Sequence, residues 1–154
     1  MSGRDIIFLV EDARWKKPRG LAARLKRAAG EALAQAGVKG QTGLTVLLSN
    51  DARLRALNRN FRAKDKPTNV LSFPAAENED GYLGDIAIAH GVTAREAKAA
   101  GKQFGDHAAH LVVHGVLHLA GYDHEVSRDA KKMESLEVKI LARLGIADPY
   151  EVGA

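Results

Sequence analysis

From Phe104 to Ala120 the chain is apolar on nearly every side of a helix, through Leu111, Val112, Val113, Val116, Leu117 and Leu119. A helix with that much apolar surface is stable only if the rest of the chain wraps it, so it belongs at the centre of a domain. Its polar exceptions fall on one stripe: His107, His110, His114 and His118. Positions i and i+4 lie one above the other on a helix face, so His114 and His118 can aim two ring nitrogens at one point. Gly121 is where such a helix stops, because glycine takes the left-handed conformation of a C-cap. The chain then turns, and His124 can supply a third nitrogen from another direction. Three neutral imidazoles around one point, with a fourth position open, is how a catalytic zinc is held. A histidine pair at this spacing is more often an ordinary helix feature; the third histidine beyond the glycine makes the expected ligand set His114, His118 and His124, one zinc per chain. His107 and His110 are expected to be ordinary helix residues.

The chain has no cysteine, so any metal must be held by His, Asp or Glu, and a reducing cytoplasm suits it. Its 154 residues, 45% hydrophobic and 27% charged, suit one globular domain over 1–154. Ile6–Val10 is too short for a signal peptide and runs into Glu11 and Asp12. No stretch approaches the ~20 apolar residues of a membrane span. The formal charge of +4 permits nucleic acid as a partner without demanding it.

Around the central helix the periodicity changes repeatedly. Ile6–Val10, Leu44–Ser49, Val70–Phe73 and Ile86–Ala89 read as strands. Leu21 to Ala36 carries apolar residues at helical spacing up to Gly37, and its Arg24, Lys26 and Arg27 read as a solvated face more readily than as a nucleic-acid contact. A helix capped by Asn50 or Asp51 carries Leu54, Leu57 and Phe61 on one side. Thr93 is expected to cap a helix reaching Ala100, and Ser127 to Leu144 forms the last, with Met133, Leu136, Ile140 and Leu144 buried. Glu11–Gly20 reads as a loop and residues 75–84 as a mobile, hairpin-like connection. The order β-α-β-α-β-β-α-α-α predicts an α+β fold, one small sheet with helices packed around the central metal-binding helix.

A zinc held by neutral imidazoles keeps its full charge, lowers the pKa of a bound water toward ~7 and suits an anionic substrate. A phosphodiester is the obvious anion. The rival is the protease motif His-Glu-x-x-His-x-x-Gly-x-x-His, whose glutamate is the general base. Here Gly115 stands in that place and cannot accept a proton, a loss of typically ~10²- to 10⁴-fold, so peptide hydrolysis ranks second. A non-catalytic assembly factor with structural zinc is the third reading. The other constellation is basic: Arg59, Arg62, Lys64 and Lys66 lie within eight residues, and Asp51–Lys66 holds six basic and two acidic side chains. Arginine suits a two-pronged grip on phosphate. Such a run is also what a solvated helix end looks like; the adjacent demand of a metal site for an anion favours the phosphate-binding reading.

The segment from His114 to His124, His-Gly-x-Leu-His-Leu-x-Gly-Tyr-Asp-His, resembles the signature of the YbeY endoribonucleases, bacterial ribosomal RNA maturation factors. Leu57 to Pro74, Leu83-Gly84-Asp85-Ile86 and Asp148-Pro149-Tyr150 are also similar to that family, and the likeness runs from about Leu44 to Tyr150. The resemblance implies a zincin-like fold with a four-stranded mixed sheet and a zinc on His114, His118 and His124. It implies single-strand-specific RNA cleavage, with roles at the 3′ end of small-subunit ribosomal RNA and in ribosome quality control. It places the functional arginine at Arg62. It names single-stranded RNA, the ribosomal subunit, a ribosomal protein and the GTPase Era as partners, with no membrane. Phe61 stands where tyrosine is common in the family.

Overall fold

The structure is a computed structural model and describes residues 4–38, 40, 42–122 and 127–150. Its strands are β1 (Arg4–Val10), β2 (Thr42–Ser49), β3 (Val70–Pro74) and β4 (Tyr82–Ala89), and its α-helices are α1 (Leu21–Gln35), α2 (Asp51–Arg62), α3 (His90–Ala99), α4 (Phe104–Leu119) and α5 (Ser127–Arg143). The four strands form one mixed sheet in the order β1-β2-β4-β3. β1 and β2 are parallel, as are β2 and β4, while β3 runs antiparallel to β4 at the edge. This is the α+β arrangement expected from the order of elements. Parallel neighbours need crossover connections: α1 links β1 to β2, and the α2–β3 segment links β2 to β4.

Alternation along the strands divides the core. Ile86 and Ile88 of β4, with Leu44, Val46 and Leu48 of β2, face a large core shared with α1, α4 and α5. Ala87 and Ala89 point the other way, onto Leu54 of α2 and Leu71 of β3. α4 contributes Val112, Val113, Val116 and Leu117 to the large core, all fully buried. Each such side chain stabilises by roughly 1.5–3 kcal/mol when buried, which is why the most apolar helix lies between the sheet and two other helices. Gly115 lets it approach closely: a Cβ there would sit 2.9–3.2 Å from three carbons of Ile86.

Three boundaries differ from the sequence reading. Within Glu11–Gly20, read as a loop, Ala13–Lys16 forms a 3₁₀ turn whose Trp15 is buried and donates from Nε1 to the Ser49 carbonyl at 2.8 Å. α3 begins at His90, and Thr93 is not its cap: inside the helix, its hydroxyl donates back to the Ala89 carbonyl at 2.6 Å, the alternative bond open to threonine at such a position. The β3–β4 connection is a hairpin, as expected, but β4 starts at Tyr82 and the loop is held by its own bonds. Asn78 donates to the Ala76 and Tyr82 carbonyls and accepts from the Tyr82 N–H, and Ala75 N–H donates to the Leu83 carbonyl. Gly84 has φ +140°, and a Cβ there would lie 2.2 Å from the Phe73 carbonyl oxygen, so this strand position admits only glycine.

Candidate active site and metal centre

α2 ends at Arg62 because Ala63 turns left-handed at φ 57°, an uncommon conformation for a residue with a Cβ. The start of the helix is fixed by Asn50, whose side chain accepts from Arg53 N–H at 2.8 Å, as an N-cap should. The loop that follows is tied to the helix through the buried Asn58, which donates from Nδ2 to the Lys66 carbonyl at 2.9 Å and accepts Lys64 N–H on its own carbonyl. Arg62 is thereby presented at a sharply turned, anchored helix end. β3 comes next in the chain and lies along α4, with Ser72 Oγ 3.4 Å from the Gly115 carbonyl.

Between these elements runs a cleft of about 940 Å³ lined by Phe61, Arg62, Asn69–Val70, Ser72–Pro74, His114, His118, Gly121 and Tyr122. Arg62, His114 and His118 therefore face one space. Arg59, Lys64 and Lys66 are exposed and do not line it. His124 lies outside the described residues. Phe61, read from its spacing as part of the apolar face of α2, is instead 69% exposed, its ring 5.3 Å from that of Phe73. The cleft-lining residues of β3 and Tyr122 were not singled out from sequence.

The histidine stripe exists as expected, but its members do different things. His114 Nε2 and His118 Nε2 are 3.0 Å apart. Two nitrogens on one zinc at 2.0–2.1 Å in a tetrahedral arrangement sit ~3.3 Å apart, so the pair is close to ligand spacing. Behind it stands Glu137 of α5, its side chain 1% exposed. Glu137 Oε1 is 3.3 Å from His114 Nδ1, and Oε2 accepts from His110 Nε2 at 2.6 Å and from the Tyr150 hydroxyl at 3.0 Å. Burial pushes the Glu137 carboxyl up, but the hydrogen bonds from His110 and His114 outweigh it and hold it down at about 2. Burial, with the Glu137 carboxylate beside it, pushes the Tyr150 phenol up. His107, one turn further back, pairs with Glu96 at 2.9 Å.

His110, His114 and Glu137 bring ligand atoms within 4.8 Å of one another, a set that could hold a metal ion. Their 2.6 Å contact, however, has the length of a charge-assisted hydrogen bond and is shorter than an edge between two ligands of one ion. The carboxylate is better placed to orient a histidine than to bind metal beside it: accepting from Nδ1–H of His114 leaves the Nε2 lone pair toward the cleft, the pattern that metal-binding histidines show. Glu137 is the functional residue that sequence reasoning missed. Its signal was available, since a charged residue within the Met133, Leu136, Ile140 face of an amphipathic helix must be buried and must therefore be partnered.

A mixed sheet crossed by a central helix that offers histidines to a cleft defines an α+β protein with a candidate metal site, and comparison with known proteins gives its family. The family model for Endoribonuclease YbeY matches residues 10–145. The chain is similar to the Endoribonuclease YbeY of Chelativorans sp. (47% identical, covering 94% of this chain and 92% of that one) and of Azorhizobium caulinodans (48% identical, covering 97% and 98%). Its fold is similar to the solution structure of TM1509 from Thermotoga maritima, with a TM-score of 0.60 and 27% identity over 95% of this chain and 99% of that one. The chain belongs to the YbeY endoribonuclease family. No helix among the described residues is long and apolar enough to cross a membrane.

Proposed function

We propose that the protein is a zinc-dependent endoribonuclease of a single domain that cuts single-stranded RNA in the cytoplasm. Its substrate is ribosomal RNA at the 3′ end of the small-subunit molecule, with a part in ribosome quality control. The small ribosomal subunit, a ribosomal protein and the GTPase Era are its partners. The observation that carries this reading is the single cleft shared by Arg62, His114 and His118. An arginine and a pair of histidines near ligand spacing, facing one space, suit a phosphodiester. The shared name of its relatives supports the same chemistry.

In this reading His114 and His118 would hold the zinc, with His124 as the third ligand. When bound, it supplies Lewis-acid charge that polarises the phosphodiester. The chain's own residues do the rest. Arg62 grips the scissile or adjacent phosphate with a two-pronged guanidinium contact, offsetting charge that grows as the P–O bond breaks. Glu137 keeps the His114 ring in one tautomer and orientation. Arg59, Lys64 and Lys66, exposed on the same helix end and following loop as Arg62, attract flanking phosphates. Peptide hydrolysis has no support at position 115, where glycine offers no general base and a larger side chain would have to displace Ile86.

The test uses highly purified protein with its metal content measured, incubated with end-labelled single-stranded and duplex RNA. The wild type is expected to cut only the single strand and to stop when a chelator is added. Arg62→Glu should keep its metal and lose cleavage; normal cutting by that variant would remove Arg62 from phosphate binding. Fully metallated wild-type protein that binds RNA but cuts none would leave a non-catalytic assembly factor as the reading.

A further inference from the structure

The cleft wall includes Phe61 and Arg62 from the end of α2 and Gly121 and Tyr122 from just beyond α4. Tyr122 is shared. It also lines a second, shallower groove of about 590 Å³, whose other walls are Lys131, Lys132, Ser135, Leu136 and Lys139 of α5. Lys132, Ser135, Leu136 and Lys139 fall at i, i+3, i+4 and i+7, so one helix face supplies most of the wall. The three lysines are exposed and none forms an ion pair among the described residues. Among the described residues no acid lines the groove; Glu134 is exposed on the same helix but outside it, and Glu137 points inward to the histidines. The buried face of α5 thus supports the metal centre, while its outer face carries positive charge away from the cleft.

We infer that this groove is a second binding tract for the single strand, engaging the backbone phosphates of nucleotides that leave the cleft past Tyr122. The inference rests on the ribonuclease reading of the cleft and extends its substrate contact to one side. Chemistry and continuity carry it. Proteins that hold single strands combine a basic groove that follows the backbone with aromatic rings on which bases stack. Here the exposed Phe61 ring lies beside Arg62 in the cleft wall, and the partly buried Tyr122 ring lines both the cleft and the lysine groove. From Lys132 to Lys139 the helix rises about 10 Å, enough for both ammonium groups to contact one strand at separate phosphates. The sign of the charge selects a polyanion, and the shared tyrosine selects the one already in the cleft.

The experiment compares fluorescein-labelled oligouridylates of about four and about twelve nucleotides, lengths at the short and long ends of what small single-strand sites hold. Binding is read by anisotropy and cleavage separately, for wild type and for the Lys132→Gln/Lys139→Gln variant, both loaded with metal. These lysines lie outside the proposed catalytic machinery, so the variant should cut the short oligomer as the wild type does. Wild type should bind the long oligomer more tightly than the short one. The variant should lose about tenfold for the long oligomer alone, with a salt dependence shallower by ~1.4 in log–log slope, the loss of two single-strand phosphate contacts. Unchanged affinity and salt slope for the long oligomer would overturn the inference, as would equal losses on both lengths. If the wild type binds the long oligomer through these lysines yet cuts neither, the ribonuclease reading falls while the tract stands.

Discussion

The two halves of α4 each carry a pair of histidines on one stripe and use them in different ways. Toward the C-terminus, His114 and His118 face the cleft with Nε2 atoms 3.0 Å apart. Toward the N-terminus, His107 and His110 meet carboxylates, Glu96 at 2.9 Å and Glu137 at 2.6 Å. The stripe is one sequence pattern; what packs opposite each ring decides its chemistry. The cleft-facing pair brings two Nε2 atoms to near ligand spacing, and the buried glutamate takes His110 Nε2 as a hydrogen-bond partner. Glu137 is the hinge of the comparison, because it touches one histidine from each half.

That contrast can be broken at its strongest point first. His118→Ala is expected to abolish stoichiometric metal binding and, with it, at least ~10³-fold of RNA cleavage, given what ligand-held metal contributes to such chemistry. His110→Ala in the same assay should still bind metal, and stoichiometric loss there would mean the ion sits in the His110–Glu137 half. Glu137→Gln keeps the shape but removes the carboxylate, and about 10- to 100-fold in metal affinity should go with it. Competition with a chromophoric chelator measures this without reference to activity. Gly115→Glu tests the packing between the halves: overpacking against Ile86 should cost roughly 1–3 kcal/mol, read as a lower denaturation midpoint, with no peptidase activity gained. The smallest effect belongs to His107→Gln. Glu96 is 42% exposed on its side of that pair, so stability should change by under ~1 kcal/mol and metal affinity not at all.

Much of this was legible because it rests on local periodicity. The apolar wheel of α4, the alternation in β2 and β4 and the Asn50 cap each report one element's own surface, and the histidine stripe follows from the helix. The contacts that define the site are long-range. Glu137 is 23 residues from His114, and sequence could say only that a charge in the α5 core face needed a partner. Phe61 shows the converse: its place on the helical stripe suggested burial, but α2 runs past its support and the ring ends beside the cleft. Thr93 misled because a hydroxyl that can cap a helix start can equally bond back to a carbonyl inside one.

The close seat of Gly115 on Ile86 also bears on how such a site can change over generations. Some glycine codons lie a single base from glutamate, so genetic distance alone is a weak barrier to the protease pattern. The neighbouring isoleucine raises a second one, because the new side chain must displace Ile86 at a buried position. A lineage that first shrank position 86 would lose roughly 0.5–1.5 kcal/mol for Ile→Val and would meet less resistance afterwards. The two chemistries are thus separated by packing, and the order in which mutations arrive sets how steep that separation is.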